Sequence, residues 1–224
     1  SVFLKYPEYT RQAMMNLASS HDSPRLLTSF QNTEKYKYNC KPQENAQYRT
    51  GKVDTLTMKK IHLFLLHQFT FVGAPHIWNG DEMGMTGADD PDNRKPLLWP
   101  DLAFDTETPS SLSAFSYEEI PAFDDKLYSF YRSLIQLRKS DVAFSQGTYE
   151  FLVFPDDDIL AYKRTFEGRE FLVLFNANPV QATCNLPLSY KGSETVFEVG
   201  QTELKMKGET LFFQPYSAVV LRKN

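Results

Sequence analysis

Residues 54–78 read DTLTMKKIHLFLLHQFTFVGAPHIW, and this stretch decides the fold class. Leu56, Ile61, Phe64, Leu65 and Phe69 recur near helical spacing, and Leu63 and Leu66 widen the apolar stripe. The spacing predicts a helix over 54–71, largely buried on a sheet. Val72-Gly73-Ala74-Pro75 stops that helix, and the short apolar run His76-Ile77-Trp78 beyond it reads as a buried strand. Upstream, Ala13-Met14-Met15-Asn16-Leu17 is another run of the same kind. Strand, helix, strand, with both strands apolar, predicts parallel β/α units.

Moving outward, Leu127, Phe130, Tyr131, Leu134 and Ile135 fall on one face of a second helix, expected over 124–139. Asp124 or Asp125 can cap its start, and Arg138 and Lys139 suit its C-terminal dipole. From residue 143 the period becomes two. Runs at 149–154, 158–164, 170–175, 180–186, 194–198, 203–207, 210–213 and 216–222 are rich in β-formers. Pro155-Asp156, Glu167-Gly168, Asn178-Pro179, Lys191-Gly192 and Lys207-Gly208 punctuate them. Short strands at that spacing predict an antiparallel β-sandwich over 143–224, and Asp156-Asp157-Asp158 reads as a solvated hairpin turn. The fold class is therefore α/β plus all-β, divided between 1–142 and 143–224.

A hydrophobic fraction of 42% over 224 residues supplies a real core and excludes disordered, collagenous and low-complexity classes. The net charge of −4, with basic residues scattered along the chain, argues against nucleic acid as a partner. The most apolar stretch, 61–78, carries His62, His67, Gln68, Pro75 and His76, too many polar groups for a membrane span. Cys40 and Cys184 show neither metal-ligand spacing nor a disulfide framework, so compartment and localisation stay open. The start at Ser1, with no initiator methionine and no secretory pattern, reads as an internal cut.

Chemistry-bearing residues follow the two apolar strands. Leu17-Ala18-Ser19-Ser20-His21-Asp22-Ser23-Pro24-Arg25 sets an imidazole beside a carboxylate at a strand exit, where parallel α/β folds assemble active sites. The plain alternative is a capping carboxylate beside a core histidine. The second strand runs into Asn79–Gly87 and then Ala88–Pro96, whose carboxylates lack the glycine and glutamate spacing of an EF-hand. A solvated turn with one internal Asp–Arg pair accounts for it better than a calcium loop.

These segments resemble the α-amylase family of glycoside hydrolases, in its neopullulanase, cyclomaltodextrinase and α-glucosidase group. LASSHDSPR (17–25) is similar to the motif ending barrel strand seven, GAPHIWNGDEMGM (73–85) to the strand-eight motif, and ADDPDNRKPLLWPD (88–101) to the loop that follows it. The resemblance implies the last two β/α units of a TIM (β/α)8 barrel in 1–142, followed by a C-terminal β-sandwich in 143–224. A complete barrel needs about 250 residues, more than the first part holds. Neither the strand-four motif carrying the nucleophilic Asp nor the strand-five motif of the acid Glu is found, and Glu82 belongs to the strand-eight motif in a structural role.

What the resemblance implies is a retaining hydrolase of α-1,4 and/or α-1,6 bonds in starch-derived α-glucan oligosaccharides. Such chemistry needs two carboxyl groups about 5–5.5 Å apart, so the chain alone is expected to be inactive. By resemblance, Asp22 is the transition-state-stabilising carboxylate, His21 a donor to the same sugar, Asp90 and Arg94 the pair holding the non-reducing-end glucose, and Arg25 a support behind Asp22. Trp78 reads as barrel core and Trp99 as a surface able to stack on a sugar ring. No cofactor is implied, and calcium is conceivable only elsewhere in the parent. The competing expectation is a non-catalytic carbohydrate-binding module from a hydrolase-like protein. Two units cut from a barrel would leave Met14, Leu17, Ile77 and the helix around Phe64 facing water, predicting self-association through the open edge or local disorder in 1–55.

Overall fold

A computed structural model describes residues 5–35, 38–154, 158–200 and 210–224. The chain forms two compact units. One comprises 1–16, 62–75 and 133–224, the other 17–61 and 76–132.

The expected strand–helix–strand order is present. Strand β1 (Met15–Asn16) pairs in parallel with β2 (Ala74–Pro75), and helix α3 (Thr55–Thr70) lies between them in sequence. The second strand starts two residues earlier than predicted, and His76–Trp78 lie outside it. Gly73 explains the shift. At φ +103° it turns the chain directly out of the helix so that the Ala74 N–H reaches the Met14 carbonyl at 2.8 Å. A Cβ at Gly73 would sit 2.7 Å from that carbonyl and from Asn16 Oδ1, so no other residue fits. Amides complete the joint: Asn16 Nδ2 donates to Val72 O at 3.0 Å and Gln68 Nε2 to Asn16 O at 2.7 Å.

These strands, whose apolar runs read as buried, are partly exposed, Leu17 as expected for units cut from a barrel. Met15 is 59% exposed, Leu17 after it is 54% exposed, and Ala74 is exposed, because β1 and β2 form a two-stranded sheet with no third strand beside it among the described residues. Met14, Ile77 and Phe64 are half-buried.

The 124–139 helix is found as α4 (Asp125–Ser140), after α1 (Glu8–Ala13) and α2 (Leu26–Gln31). Asp124 caps α4, its Oδ1 accepting from the N–H groups of Lys126 and Leu127 at 3.0 and 2.9 Å. Arg138, expected to serve the end of its own helix, instead donates to Phe69 O at 2.8 Å and Gly73 O at 2.5 Å. Its fork thus satisfies carbonyls where α3 ends. After the short α5 (Ala143–Gln146) come β3 (Thr148–Leu152), β4 (Leu160–Phe166), β5 (Arg169–Asn176), β6 (Ala182–Asn185), β7 (Glu194–Val199), β8 (Thr210–Phe213) and β9 (Ser217–Arg222). The predicted strand at 203–207 and the residues Asp156 and Asp157 lie outside the described residues.

All pairings from β3 to β9 are antiparallel. The sheets are β3-β4-β5-β9-β7 and β6-β8, with a register shift between Thr195 and Phe197. Leu172, Leu174, Val219 and Leu221 of the larger sheet share one core with Ala182, Cys184, Leu211 and Phe213 of the smaller. The other face of the larger sheet is also covered. Tyr162 and Phe175 pack against His67 of α3, and Phe171 against Phe144 of α5. Covering both faces is why Phe171 to Phe175 and Ala218 to Leu221 read as unbroken apolar runs.

Arg164 of β4 is wholly buried on that second face. Its guanidinium donates to the carbonyls of Thr70 at 2.5 Å, Phe144 at 3.0 Å, Gly147 at 2.9 Å and Thr148 at 3.2 Å. Burial brings its pKa down to about 10, still charged at neutral pH. Replacing it with an apolar side chain of similar length leaves four carbonyls without this donor. Arg164→Met is expected to cost about 3 kcal/mol or more in urea unfolding; a variant within experimental error of the native chain would show that the carbonyls find other partners.

Candidate active site

The residues singled out after the two strands lie together in the second unit, on a base formed by one buried arginine. Arg25 is 1% exposed; Nη1 donates to Asn79 O at 3.0 Å and reaches Asp81 Oδ1 at 3.3 Å, and Nε donates to Asn93 O at 2.9 Å. The guanidinium carbon stands 3.9 Å from the centre of the Trp78 ring, a cation–π contact. Trp78 is therefore not closed barrel core as expected. It is half-buried, and the cation occupies one face. Gly80, at φ +99°, turns the chain beneath the arginine, where a Cβ would stand 2.9 Å from Arg25 Nη1.

Asp81 is as buried as its partner, and the Ser19 hydroxyl donates to its second oxygen, Oδ2. Burial penalises both charges. It lowers the Arg25 pKa and lifts the Asp81 carboxyl from 3.8 to about 6 against the pull of Ser19 and Arg25. Asn93 supplies the next layer. Fully buried, its amide Nδ2 converges on three carbonyls of the 20–23 turn: Ser23 at 2.8 Å, His21 at 3.0 Å and Ser20 at 3.3 Å. Within the turn, Ser20 N donates to Ser23 Oγ at 2.9 Å.

Above this base stand exposed groups. His21 Nε2 lies 3.2 Å from Asp22 Oδ2, Arg94 Nη2 lies 3.7 Å from Asp22 Oδ1, and Arg94 Nε lies 2.5 Å from Asp90 Oδ1. The structure thus brings His21, Asp22, Asp90 and Arg94 into one contiguous chain of contacts. His21 is not a core histidine: its side chain is 64% exposed, and that of Asp22 is 66% exposed. Glu82 stays local, its Oε2 accepting from the Gly80 N–H at 2.9 Å. Trp99 is 49% exposed. Among the described residues no cluster of three or more His, Cys, Asp or Glu side chains is placed to hold a metal ion, and no helix is long and apolar enough to cross a membrane.

An exposed carboxylate flanked by an imidazole and a guanidinium offers acceptors and donors side by side, the set that neutral hydroxyls need. Ser19, Asp81 and Asn93, which hold the turn carrying Asp22, were not among the residues read from the sequence. Their partners are 62 to 73 positions away, so no local spacing signals them.

Residues 2–147 match the family model of the α-amylase catalytic domain. The chain belongs to the α-amylase family. Residues 149–220 match the C-terminal domain of maltogenic amylase, in agreement with the antiparallel sheets found there. The chain is 27% identical over 219 residues to a cyclomaltodextrinase of Thermoanaerobacter pseudethanolicus, covering 98% of this chain and 30% of that relative. It is also 27% identical over 220 residues to neopullulanase 2 of Thermoactinomyces vulgaris, covering 96% of this chain and 30% of that one. It thus spans about a third of the length of these α-amylase-family relatives. Among solved structures, the native debranching enzyme of Nostoc punctiforme superposes with a TM-score of 0.67 at 22% identity, over 98% of this chain and 37% of that one. A cyclomaltodextrinase gives 0.62 at 24% identity, over 98% and 31%. At those identities the likeness is one of fold.

Two measurements test the base of the site. Since the folded Asp81 binds its proton more tightly than the unfolded one, its contribution to stability is largest below pH 3.8 and is lost as pH rises through about 6. Unfolding free energy is expected to fall across that window, and Asp81→Asn to remove this component of the slope; an unchanged slope in the variant would assign it to other groups. Asn93→Ala, which strips three carbonyls of their donor, is expected to cost about 2 kcal/mol in the same assay.

Proposed function

We propose that the chain is the C-terminal part of a retaining α-glucan hydrolase acting on α-1,4 and/or α-1,6 glucosidic bonds of starch-derived oligosaccharides. In this reading 1–142 carry the last two β/α units of the catalytic barrel, with strands seven and eight, and 143–224 form the C-terminal sandwich. The observation that carries it is the contact chain from His21 through Asp22 and Arg94 to Asp90, standing exposed on a buried, hydrogen-bonded base. Membership of the α-amylase family and likeness to a cyclomaltodextrinase and a neopullulanase support it.

Asp22 accepts hydrogen bonds from hydroxyls of the sugar whose glycosidic bond breaks. As that ring takes on oxocarbenium character its hydroxyls become more acidic and the bonds to a carboxylate strengthen, so Asp22 lowers the barrier without transferring a proton. His21 donates to the same sugar. Arg94, its fork spread between Asp22 and Asp90, fixes both carboxylates and, with Asp90, presents donor and acceptor to the non-reducing-end glucose. The nucleophilic Asp and the acid Glu come from the part of the parent that precedes this chain. Leu17, exposed where the chain leaves β1, marks the open barrel edge through which the isolated chain self-associates.

Purified alone, the chain is expected not to hydrolyse starch, pullulan or a chromogenic α-glucoside. Turnover that Asp22→Asn abolishes would mean that the chain holds its own nucleophile. In the complete parent enzyme Asp22→Asn should lower kcat about 100-fold or more with little effect on KM, whereas Arg94→Ala should act mainly on KM. A near-normal kcat with Asn at 22 would overturn the role of Asp22, and a parent without Asp and Glu at the ends of strands four and five would favour a binding module.

A further inference from the structure

His21 and Asp22 stand on a short loop, 20–24, whose two ends are held by one carboxylate. Asp81 Oδ2 accepts from the Ser19 hydroxyl just before the loop, and Asp81 Oδ1 lies 3.3 Å from Arg25 Nη1 just after it. All three residues are buried, whereas the side chains of His21 and Asp22 between them stand in solvent. A second hold crosses the loop. Arg25 Nε pins Asn93 O at 2.9 Å, and the Asn93 side-chain amide takes the carbonyls of Ser20, His21 and Ser23. Asp81 therefore anchors the neck of the loop and, through Arg25, the strut across it.

A carboxyl group suits both contacts only while it is ionised, because it then offers acceptors alone. Protonated at Oδ2, it holds a donor where the Ser19 hydroxyl also donates, so the hydroxyl has to turn round, and Arg25 loses its buried counter-charge. Burial and Glu82, on the same turn, favour the neutral form, and Ser19 and Arg25 favour the ionised one. From α4 the Tyr131 phenol faces the same two carboxylates, and burial together with their field keeps it protonated and neutral. Burial is the largest of these effects on Asp81 and sets its midpoint at about 6, so the neck of the loop changes state in mild acid.

We propose that Asp81 is a proton-gated positioning residue: ionised, it clamps the loop between Ser19 and Arg25 and holds Asp22 at the sugar, and protonated, it lets the loop go. Mild acid then withdraws Asp22 from the reaction without touching it. The proposal rests on the functional reading above, in which Asp22 stabilises the transition state. Two trends follow that run in opposite directions. Acidification relieves the burial of a charge and raises the stability of the whole chain, since the folded Asp81 binds its proton more tightly than the unfolded one. The order of the loop falls over the same range. A carboxyl group with a purely structural role gives the first trend alone.

The test is hydrogen exchange of the 224-residue chain, read by mass spectrometry on the peptide spanning 19–25 and corrected for the intrinsic pH dependence of exchange. Protection of that peptide is expected to fall about tenfold between about pH 7.5 and about pH 5, while urea unfolding shows the chain becoming more stable. Asp81→Asn keeps the shape without the charge and should leave the loop unprotected at every pH. Ser19→Ala removes a donor to the ionised form and should raise the midpoint by about half a pH unit or more; it decides the matter if Asp81→Asn fails to fold by circular dichroism. His21→Gln should leave the midpoint in place. In the complete parent enzyme kcat should fall about tenfold over the same range with KM changed less than about twofold, and Asp81→Asn should abolish that limb. Protection that does not vary with pH, or a midpoint that follows His21 rather than Ser19 and Asp81, overturns the clamp and leaves the role of Asp22 standing. A loop that loosens while kcat stays level overturns the gating. Near-normal kcat in the parent with Asp22→Asn overturns the underlying reading and the gating with it.

Discussion

A guanidinium withdrawn from water must be ringed by acceptors, and in the second unit this requirement on Arg25 organises everything above it. Its acceptors, Asn79 O, Asp81 and Asn93 O, lie 54, 56 and 68 positions away in sequence. One cation thereby ties the segment after β1 to two segments after β2. The flanking Trp78 ring and the Ser19 hydroxyl complete the enclosure. An ion pair so buried adds little to net stability, since desolvation offsets most of the attraction. What it supplies is position. Asn93 accepts from Arg25 through its backbone and donates to the 20–23 turn through its side chain, so His21 and Asp22 inherit the order of the core while standing in solvent.

The same device recurs in the first unit. Arg164 gathers carbonyls from the end of α3, from α5 and from the start of β3, and Arg138 takes the last carbonyls where α3 gives way to β2. Helix ends and sharp turns leave carbonyls that no regular ladder can satisfy. A planar five-donor fork answers several at once, which a lysine cannot. Both arginines sit where the chain changes from one kind of element to another, so they act as joints rather than as surface charges.

How much of this was legible follows from the range of each signal. The α3 and α4 helices and the strands from β3 onward were read correctly to within a few residues because their periodicity is carried locally. Helices α1, α2 and α5, of six residues or fewer, are too short to show a period. The offset of β2 turned on the φ of Gly73, and the exposure of Met15 on β1 and β2 having no third strand beside them among the described residues, neither of which is a property of local sequence. At the candidate site His21, Asp22, Asp90 and Arg94 were visible because their segments resemble a family's motifs. Ser19, Asp81 and Asn93 were not, because a serine, an aspartate and an asparagine in a loop look like turn residues until their distant partners are known. Arg138 shows the opposite failure: a plausible local role, service to its own helix dipole, lost to a tertiary one.

The two cysteines have a use that the fold confers by accident of placement. Cys184 sits in the core shared by the two antiparallel sheets, and Cys40 in a small cluster with Tyr48 and Ala88, one thiol in each compact unit and both out of reach of solvent. Burial and the nearby Asp89 raise the Cys40 pKa further, so its reactive thiolate is scarce even when the sulfur is reached. An alkylating reagent therefore meets each sulfur only when the surrounding unit opens. The chain carries, without any engineering, two chemical clocks, one thiol reporting from the unit that holds Asp22 and one from the sheets.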